Sequence, residues 1–370
     1  MNRASHRHHA LALTVAFAVL AAACGSDTDE TSAPTQPSTT PGSTTEPAAT
    51  GPTTTFAATI TAEPTTTEPP AEFDSAVEYP RTVVHALGEF TQDAPPEQVF
   101  IGSSEIFGEA MIALGVTPSG RLDWFGGAPV PVDDDYGLDV LDEVPVLGTV
   151  FAPDLEVIVG AEPDVVLVFS GFGNAIHDQL LGQIDVYAVD IAADWREALI
   201  GTGDAIGRPE RAEAVLAEYD LRLDEIADSE MAEFFAGRST AVITPLGGAG
   251  AILVPGDIIG DAMDRAGVPL WEPGPGFEGS GPDDAADGIV NFSKELAGEI
   301  DADVVVIVLE DEGGLTPTRE AFVADPVWGS IPAIVEGDVF FVRNNILRNA
   351  GPLTHYLFFD DLAAAVANAG

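Results

Sequence analysis

Basic residues are the scarcest class of side chain in this sequence. The 370 residues include 14 Lys and Arg against 61 Asp and Glu, which gives a formal net charge of −47 at pH 7. Proteins that bind nucleic acid need basic surfaces to displace counterions from phosphates. Peripheral binding to anionic lipid headgroups needs basic clusters as well. The composition therefore argues against nucleic acid and against anionic lipid headgroups as partners, and it favours a highly solvated surface.

Cysteine is also scarce, since Cys24 is the only one in the chain. A single cysteine excludes an intramolecular disulfide and a zinc or iron–sulfur site built on thiolates. The histidines beyond the N-terminal segment, His85, His177 and His355, lie far apart, so a histidine metal site would need tertiary convergence. The run from Gly201 to Gly207 has one residue too many for a dinucleotide fingerprint. We therefore predict no enzyme, no cofactor and no metal held directly by the protein.

The first 23 residues have the pattern of an export signal. A polar, basic start is followed by an uncharged apolar run, Ala10 to Ala23, that is shorter than the about 20 residues of a membrane-spanning helix. The run ends "LAAAC", which resembles a lipobox, and we expect Cys24 to be lipidated. The protein would then be anchored to the outer face of the cell membrane, or lie in the periplasm. The alternative is a cleaved signal followed by an incidental cysteine.

The rest of the chain divides into a tether and a folded part. Residues 24–78 are rich in Thr, Pro and Ser, and we predict a disordered tether because such a segment buries too little apolar surface to fold. From residue 79, apolar strands alternate with helices, which is typical of parallel sheets covered on both faces. We predict an α/β fold with two Rossmann-like lobes, over 79–194 and 237–370, joined by a long connecting helix over 195–236. Pro209 fits a fresh helix start within that segment.

A ligand should lie in the cleft between the lobes, at the carboxyl ends of the strands. The loops there carry a hydroxyl, several aromatic rings and arginines, namely Ser104, Arg121, Trp124, Phe169, Phe172, Trp195, Trp271, Arg343 and Arg348. Aromatic rings stack on planar groups, and arginines pair with anions. We interpret Arg343 and Arg348, five residues apart in an acidic chain, as anion contacts. Core packing is the alternative for each aromatic residue, and pairing with a nearby carboxylate is the alternative for each arginine.

Several phrases from about Arg81 to the C-terminus resemble the substrate-binding lipoproteins of ABC importers for iron–siderophore complexes, haem and vitamin B12. In chain order they are "TVVHALGEF", "PEQVFIGSSEIFGEAMIALGVTP", "APDLEVIVGAEPDVVLV", "ELAGEIDADVVVIVLEDE", "DPVWGSIPAIVEGDVFFV" and "AGPLTHYLFFDDL". Each phrase is weak alone, but their shared order is specific. Gln98 departs from the arginine that is usual in this family. The resemblance implies a class III substrate-binding protein, with two lobes joined by a rigid helix.

The resemblance also implies a function and partners. It implies that the protein captures a ferric siderophore, in which the chelator holds the iron, and delivers it to an ABC importer permease. The permease would contact an acidic residue on each lobe, and Glu295 and Asp178 stand at the matching positions. We expect a monomer.

Three other functions stay open at this point. Cobalamin or haem is the alternative cargo, and His177 and Tyr136 are the evident candidates for haem ligation. An exported non-transport ligand-binding or adhesion domain is a further alternative. An exported enzyme on a similar frame is disfavoured, because no nucleophile, base or metal cluster is visible.

Overall fold

The structure is a computed structural model that describes residues 77–103, 106–123, 136–171, 173–190, 193–246, 248–255, 258–277, 288–309, 317–343 and 351–369. All of these residues belong to one compact unit of the chain, Thr61–Gly370. The predicted signal, Cys24 and nearly all of the predicted tether lie outside the described residues. Within the described ranges, no helix combines the length and apolar character that crossing a membrane requires.

The regular elements alternate between strands and helices along the chain. The strands are β1 (Arg81–His85), β2 (Gly88–Gln92), β3 (Val99–Ile101), β4 (Gly120–Asp123), β5 (Val146–Thr149), β6 (Ala152–Pro153), β7 (Val165–Phe169), β8 (Asp185–Val189), β9 (Thr240–Leu246), β10 (Ala249–Leu253), β11 (Ile289–Ser293), β12 (Val304–Val308) and β13 (Val339–Val342). The α-helices are α1 (Ile106–Ala113), α2 (Leu155–Gly160), α3 (Asn174–Leu180), α4 (Trp195–Ala205), α5 (Pro209–Ala227), α6 (Glu230–Phe235), α7 (Ile258–Arg265), α8 (Arg319–Ala324), α9 (Pro332–Glu336) and α10 (Pro352–Ala369). Short 3-10 helices span Leu138–Glu143, Lys294–Glu299 and Trp328–Ser330.

The N-terminal lobe is built on a six-stranded sheet with the order β6-β5-β4-β3-β7-β8. All pairs are parallel except β5 with β6. Every residue of β7 is buried, because helices cover both faces of the sheet. Its alternate residues Val165 and Leu167 pack into one hydrophobic core, whereas Val166 and Val168 pack into another. A continuous apolar strand is therefore what this position in the sheet requires.

The C-terminal lobe is built on a five-stranded sheet with the order β11-β10-β9-β12-β13. Strands β9, β12 and β13 are parallel, and β10 and β11 extend the sheet as antiparallel strands. Strand β12 is buried throughout, with Val304 and Val306 in the large core and Val305 in a second core. The large core includes residues of both sheets and of the helices between them. Strands β1 and β2 pair separately as an antiparallel hairpin. The predicted α/β fold with two lobes is confirmed.

The segment that connects the sheets contains three helices, α4, α5 and α6. The break between α4 and α5 is caused by Gly207, whose φ of +75° ends the first helix, and by Pro209 at the first position of the second. Helix α5 is the longest of the three, with 19 residues, and it buries a stripe that includes Tyr219 and Leu223. The break at Pro209 agrees with the sequence, while the exact lobe boundaries stay a prediction.

Helix α10 packs against both lobes. It lies on β13 of the C-terminal sheet and also contacts α1, α5 and α6. Its residue Leu357 joins a small cluster with Leu138 and Leu141 of the 3-10 helix in the N-terminal lobe. The last helix of the chain is therefore shared between the lobes.

Removing a buried ring from α10 should destabilise the whole fold. Phe358 is fully buried in the large core, so Phe358→Ala should lower the free energy of unfolding by about 3–5 kcal/mol. Leu221 on α5 is 64% exposed, and Leu221→Ala should change it by less than about 0.5 kcal/mol. Urea denaturation of the full chain, followed by circular dichroism, measures both. Equal effects of the two substitutions would contradict this packing of α10.

Candidate functional site

Residues that follow the parallel strands mark the carboxyl-terminal edge of each sheet. In the N-terminal lobe, Ser103 follows β3 and Ser170 follows β7; in the C-terminal lobe, Leu309 follows β12 and Arg343 follows β13. Helix α1 begins just after β3, and α10 is the next helix after β13. A hydrogen-bonded contact joins α1, which follows β3, to α10, which follows β13. The carboxyl ends of parallel strands are where α/β proteins bind ligands.

Glu109 makes this contact from the first turn of α1. Its Oε1 accepts hydrogen bonds from the backbone N–H groups of Leu353, at 2.7 Å, and Thr354, at 3.0 Å. Its Oε2 accepts the Thr354 hydroxyl at 2.7 Å. The first N–H groups of a helix have no partner within the helix, and the helix dipole favours a negative charge there. A carboxylate of the N-terminal lobe thus caps the C-terminal helix.

The close approach of Glu109 explains the glycine that precedes α10. A Cβ atom at Gly351 would lie 2.3 Å from the carboxyl carbon of Glu109, a distance that atoms in contact do not reach. Any larger side chain at this position would therefore displace the carboxylate. Glu109 is itself only 3% exposed. Burial raises the pKa of Glu109 to about 7, against the opposing effect of its hydrogen bonds from Thr354 and Leu353.

Arg343 lies at the carboxyl end of β13 with 55% of its side chain exposed. Its backbone N–H donates to Oδ2 of Asp361 on α10 at 3.0 Å, and its Nη2 lies 3.8 Å from Oδ1 of the same carboxylate. Both alternatives considered for this arginine, an anion contact and a pair with a local carboxylate, are compatible with this position. Arg348, the second arginine of the predicted pair, lies outside the described residues.

Arg121 lies inside the N-terminal lobe, not at its surface. It is 3% exposed, its Nη1 lies 2.8 Å from Oδ1 of Asp123, and its Nε donates to the carbonyl of Val144 at 3.2 Å. A buried guanidinium needs such partners because burial without them is costly. The internal ion pair accounts for the charge of Arg121, and its predicted contact with a ligand stays untested.

The described aromatic candidates are buried and packed against other rings. The ring centroids of Phe169 and Phe107 lie 4.6 Å apart. Trp195 lies 4.9 Å from Tyr219, and Trp271 donates its indole N–H to Asp301 at 2.7 Å.

Core packing, the alternative kept open above, accounts for these three placements. Their roles as ligand contacts stay predictions. Two further aromatic candidates, Trp124 and Phe172, and the hydroxyl candidate Ser104 lie outside the described residues.

Most of the described basic side chains pair with carboxylates of the same protein. These pairs are Arg81–Asp204, Arg211–Glu218, Arg222–Asp360, Arg238–Asp338, Arg265 with Asp220 and Asp224, and Lys294–Asp325. With 61 acidic residues against 14 basic ones, a basic side chain at the surface readily finds a carboxylate partner. The scarcity of basic residues in the sequence is therefore a weak guide to ligand contacts.

The two predicted docking residues lie on the surface, one in each lobe. Glu295 is exposed on the 3-10 helix that follows β11, and the Ser293 hydroxyl donates to it, which lowers the pKa of its carboxyl group. Asp178 on α3 is 80% exposed, with its Oδ1 3.3 Å from Nδ1 of His177. Both positions are accessible to a partner, and the docking role stays a prediction for each.

No cluster of three or more His, Cys, Asp or Glu side chains suited to a metal ion occurs in the part of the chain that the structure describes. Of the two candidates for haem ligation, Tyr136 donates its hydroxyl to Asp360 at 2.8 Å. His177 contacts the ring of His85, with centroids 5.8 Å apart. Each candidate therefore has a partner within the protein.

A buried Tyr–His pair joins helix α5 to helix α10. The hydroxyl oxygen of Tyr219 on α5 lies 2.6 Å from Nδ1 of His355 on α10, and the Trp195 ring packs on both. Burial, aided by the charge of Arg196, lowers the pKa of His355 to about 3, so the imidazole is neutral at pH 7.

Sequence reasoning did not select Glu109, Asp361, Tyr219 or His355. The signal for Glu109 was present, since it is a lone carboxylate within the apolar helix "IFGEAMIA". A charge at such a position is buried with partners when the helix is covered on all sides. The partners themselves are more than 240 residues away, and no local pattern identifies them.

The fold is that of a two-lobed α/β protein whose last helix contacts elements of both lobes. Residues 109–346 match the model of the family described as periplasmic binding protein. The match covers more than half of the chain, and the chain belongs to this family. The resemblance found in the sequence is thereby confirmed at the level of the family, whose members are binding proteins.

Individual relatives extend over most of the folded part. The probable siderophore-binding lipoprotein YfiY of Bacillus subtilis is 24% identical over 289 residues, which cover 76% of this chain and 86% of the relative. Staphylococcus aureus SirA, solved in complex with staphyloferrin B, aligns with a TM-score of 0.59 at 19% identity, over 78% of this chain and 98% of SirA. A periplasmic solute binding protein of Mycobacterium smegmatis aligns with a TM-score of 0.61 at 20% identity, over 77% of this chain and 98% of that protein. These structural similarities confirm the class III two-lobed fold.

The buried carboxyl group of Glu109 should make stability depend on pH. Its pKa in the folded protein, about 7, lies above the ordinary value of 4.5, so the folded state holds a proton that the unfolded chain has released between these values. The contribution of Glu109 to stability should therefore fall as pH rises from 4.5 to 7 and stay constant above that.

The variant Glu109→Gln carries no such group and isolates the effect. The free energy of unfolding of the wild type minus that of Glu109→Gln should decrease from pH 4.5 to pH 7, as measured by urea denaturation of both full chains. A difference that does not change with pH, or that increases, would contradict the raised pKa.

Proposed function

We propose that this protein captures a ferric siderophore outside the cytoplasm and delivers it to an ABC importer. The observation that carries the proposal is the similarity to a probable siderophore-binding lipoprotein over 76% of this chain. The structural alignment with SirA, which was solved in complex with staphyloferrin B, also supports the proposal. The protein acts by binding, and the iron stays with its chelator.

The charge of the protein sets a condition on how such a ligand is held. Ferric siderophore complexes are commonly anionic, and the surrounding protein carries a formal charge of −47. An anion would be repelled from most of this surface, so the cleft needs cations at defined positions. Arg343, with 55% of its side chain exposed at the carboxyl end of β13, meets this condition, and we propose Arg348 as its companion.

The remaining cleft contacts are proposed from the sequence, because these residues lie outside the described ranges. We propose the aromatic rings of Trp124 and Phe172 as stacking surfaces for a planar chelate, and the hydroxyl of Ser104 as a hydrogen-bonding group. Cobalamin and haem stay as alternative cargo of the same fold. Axial ligation of haem would require His177 or Tyr136 to leave its present partner, and this favours the siderophore.

We propose a partner and a location that fit delivery to an importer. The permease would contact Glu295 on the C-terminal lobe and Asp178 on the N-terminal lobe, both accessible carboxylates. Lipidation of Cys24 would anchor the chain outside the cytoplasm, where residues 24–78 would let the folded part reach the permease. A monomer suffices for this mechanism.

Tryptophan fluorescence of the full chain tests ligand capture. The panel consists of ferric hydroxamates, ferric catecholates, ferric citrate, haem and cobalamin. Saturable quenching by a ferric chelate is expected, and Arg343→Ala should weaken its binding about 10-fold because a charge-assisted contact of about 1.4 kcal/mol is lost. Arg265→Ala removes the same charge from an ion-paired surface site between α5 and α7 and should leave affinity unchanged.

Two outcomes of this titration would contradict the proposal. Quenching by haem or cobalamin alone would keep the importer and change the cargo. A lack of any response would overturn the proposed function.

Removing the docking carboxylates should impair delivery without affecting capture. In cells that depend on this protein for iron, the double variant Glu295→Gln and Asp178→Asn should lower uptake of the bound ferric chelate several-fold, while the affinity of the purified protein stays unchanged. Glu213→Gln on the exposed side of α5 is the matched control and should have no effect. Normal uptake by the double variant would reject these two residues as the contacts with the permease.

A further inference from the structure

Glu109 and Arg343 are connected through a single helix. Glu109 holds the first turn of α10 through Leu353 and Thr354, at 2.7–3.0 Å. Asp361 on the same helix holds Arg343, through the backbone N–H at 3.0 Å and the guanidinium at 3.8 Å. The path from the N-terminal lobe to this arginine thus consists of two carboxylates and one helix.

The packing around this path leaves α10 little freedom. Gly351 touches the Glu109 carboxyl group so closely that a Cβ atom would not fit. Phe358 and Phe359 are buried in the large core, and the hydroxyl of Tyr219 lies 2.6 Å from Nδ1 of His355. A helix fixed at its start and along its length transmits a shift at its first turn to Asp361, about two turns further on.

We infer that Glu109 is a positioning residue for ligand binding, which sets the place of Arg343 relative to the N-terminal edge of the cleft by holding α10 against α1. This inference rests on the proposed function, because it concerns the affinity for the chelate that Arg343 contacts. Glu109 lies inside the protein and does not touch the ligand. Its effect on affinity therefore passes through α10.

Two substitutions at Glu109 distinguish the effect of its hydrogen bonds on affinity from the effect of its side-chain volume. Glu109→Leu fills the space without an acceptor for the N–H groups of Leu353 and Thr354. Glu109→Gln keeps an acceptor oxygen at the same distance along the side chain. We expect Glu109→Leu to weaken binding of the ferric chelate about 10-fold and Glu109→Gln to restore affinity to within about 3-fold of the wild type.

Met263→Ala serves as a control for simple loss of stability. Met263 is fully buried on α7, a helix that is not part of the path from Glu109 to Arg343, so this variant should be destabilised and should bind the chelate as the wild type does. Equal losses of affinity in Met263→Ala and Glu109→Leu would mean that Glu109 is merely structural.

A double-mutant cycle tests the path itself. If Glu109 acts through Arg343, then Glu109→Leu should reduce affinity about 10-fold in the wild type and by less than about 2-fold in the Arg343→Ala background. Fluorescence titration of the full chain with the ferric chelate that binds the wild type measures all four affinities. The same fold-loss in both backgrounds would overturn the inference.

Hydrogen exchange distinguishes failure of this inference from failure of the proposed function. If the wild type binds none of the chelates, the proposed function is rejected. The contact between α1 and α10 can still be tested by hydrogen exchange in the protein without ligand. The amides of Leu353 and Thr354 should exchange at least 10-fold faster in Glu109→Leu than in the wild type and should regain protection in Glu109→Gln. Unchanged exchange in Glu109→Leu would overturn the positioning role whether or not a ligand is found.

Discussion

The hydrogen bonds between Glu109 and the first turn of α10 connect the two lobes at the edge where ligands are expected. A carboxylate on the helix after β3 thereby caps the helix after β13 and links the N-terminal lobe to the C-terminal lobe. The glycine before α10 follows from the close approach of this contact, and the burial of Glu109 between the helices raises its pKa against the opposing effect of the hydrogen bonds. A helix terminus would otherwise be left without partners inside the protein.

The excess of acidic residues shapes the rest of the molecule. Because carboxylates greatly outnumber basic residues, most of the cations that the structure describes are used in internal pairs such as Arg81–Asp204 and Arg238–Asp338. Such pairs fix helices and strands to one another but contribute little net stability where they are exposed. Arg343 differs in its location at a strand end and in the exposure of its side chain. The proposed anion contact depends on this difference, not on the rarity of arginine.

The sequence predicted the fold more completely than the site. Strands such as Val165–Phe169 and Val304–Val308 are continuous apolar runs because both faces of each sheet are covered, and this pattern is local. Whether a side chain near a strand or helix end points into a cleft or into the core depends on tertiary packing, and the structure buries both Trp195 and Arg121. Glu109 gave a local signal, but its partners on α10 follow only from the fold.

Locating the iron directly tests the central claim, that a ferric chelate binds between the two strand edges. Crystals of the protein grown with the ferric chelate it binds would be measured at the iron absorption edge. We expect one peak of anomalous scattering density for iron, between the carboxyl ends of β3 and β13 and beside the Arg343 guanidinium. A peak elsewhere on the protein, or protein ligands bound to the iron itself, would contradict it.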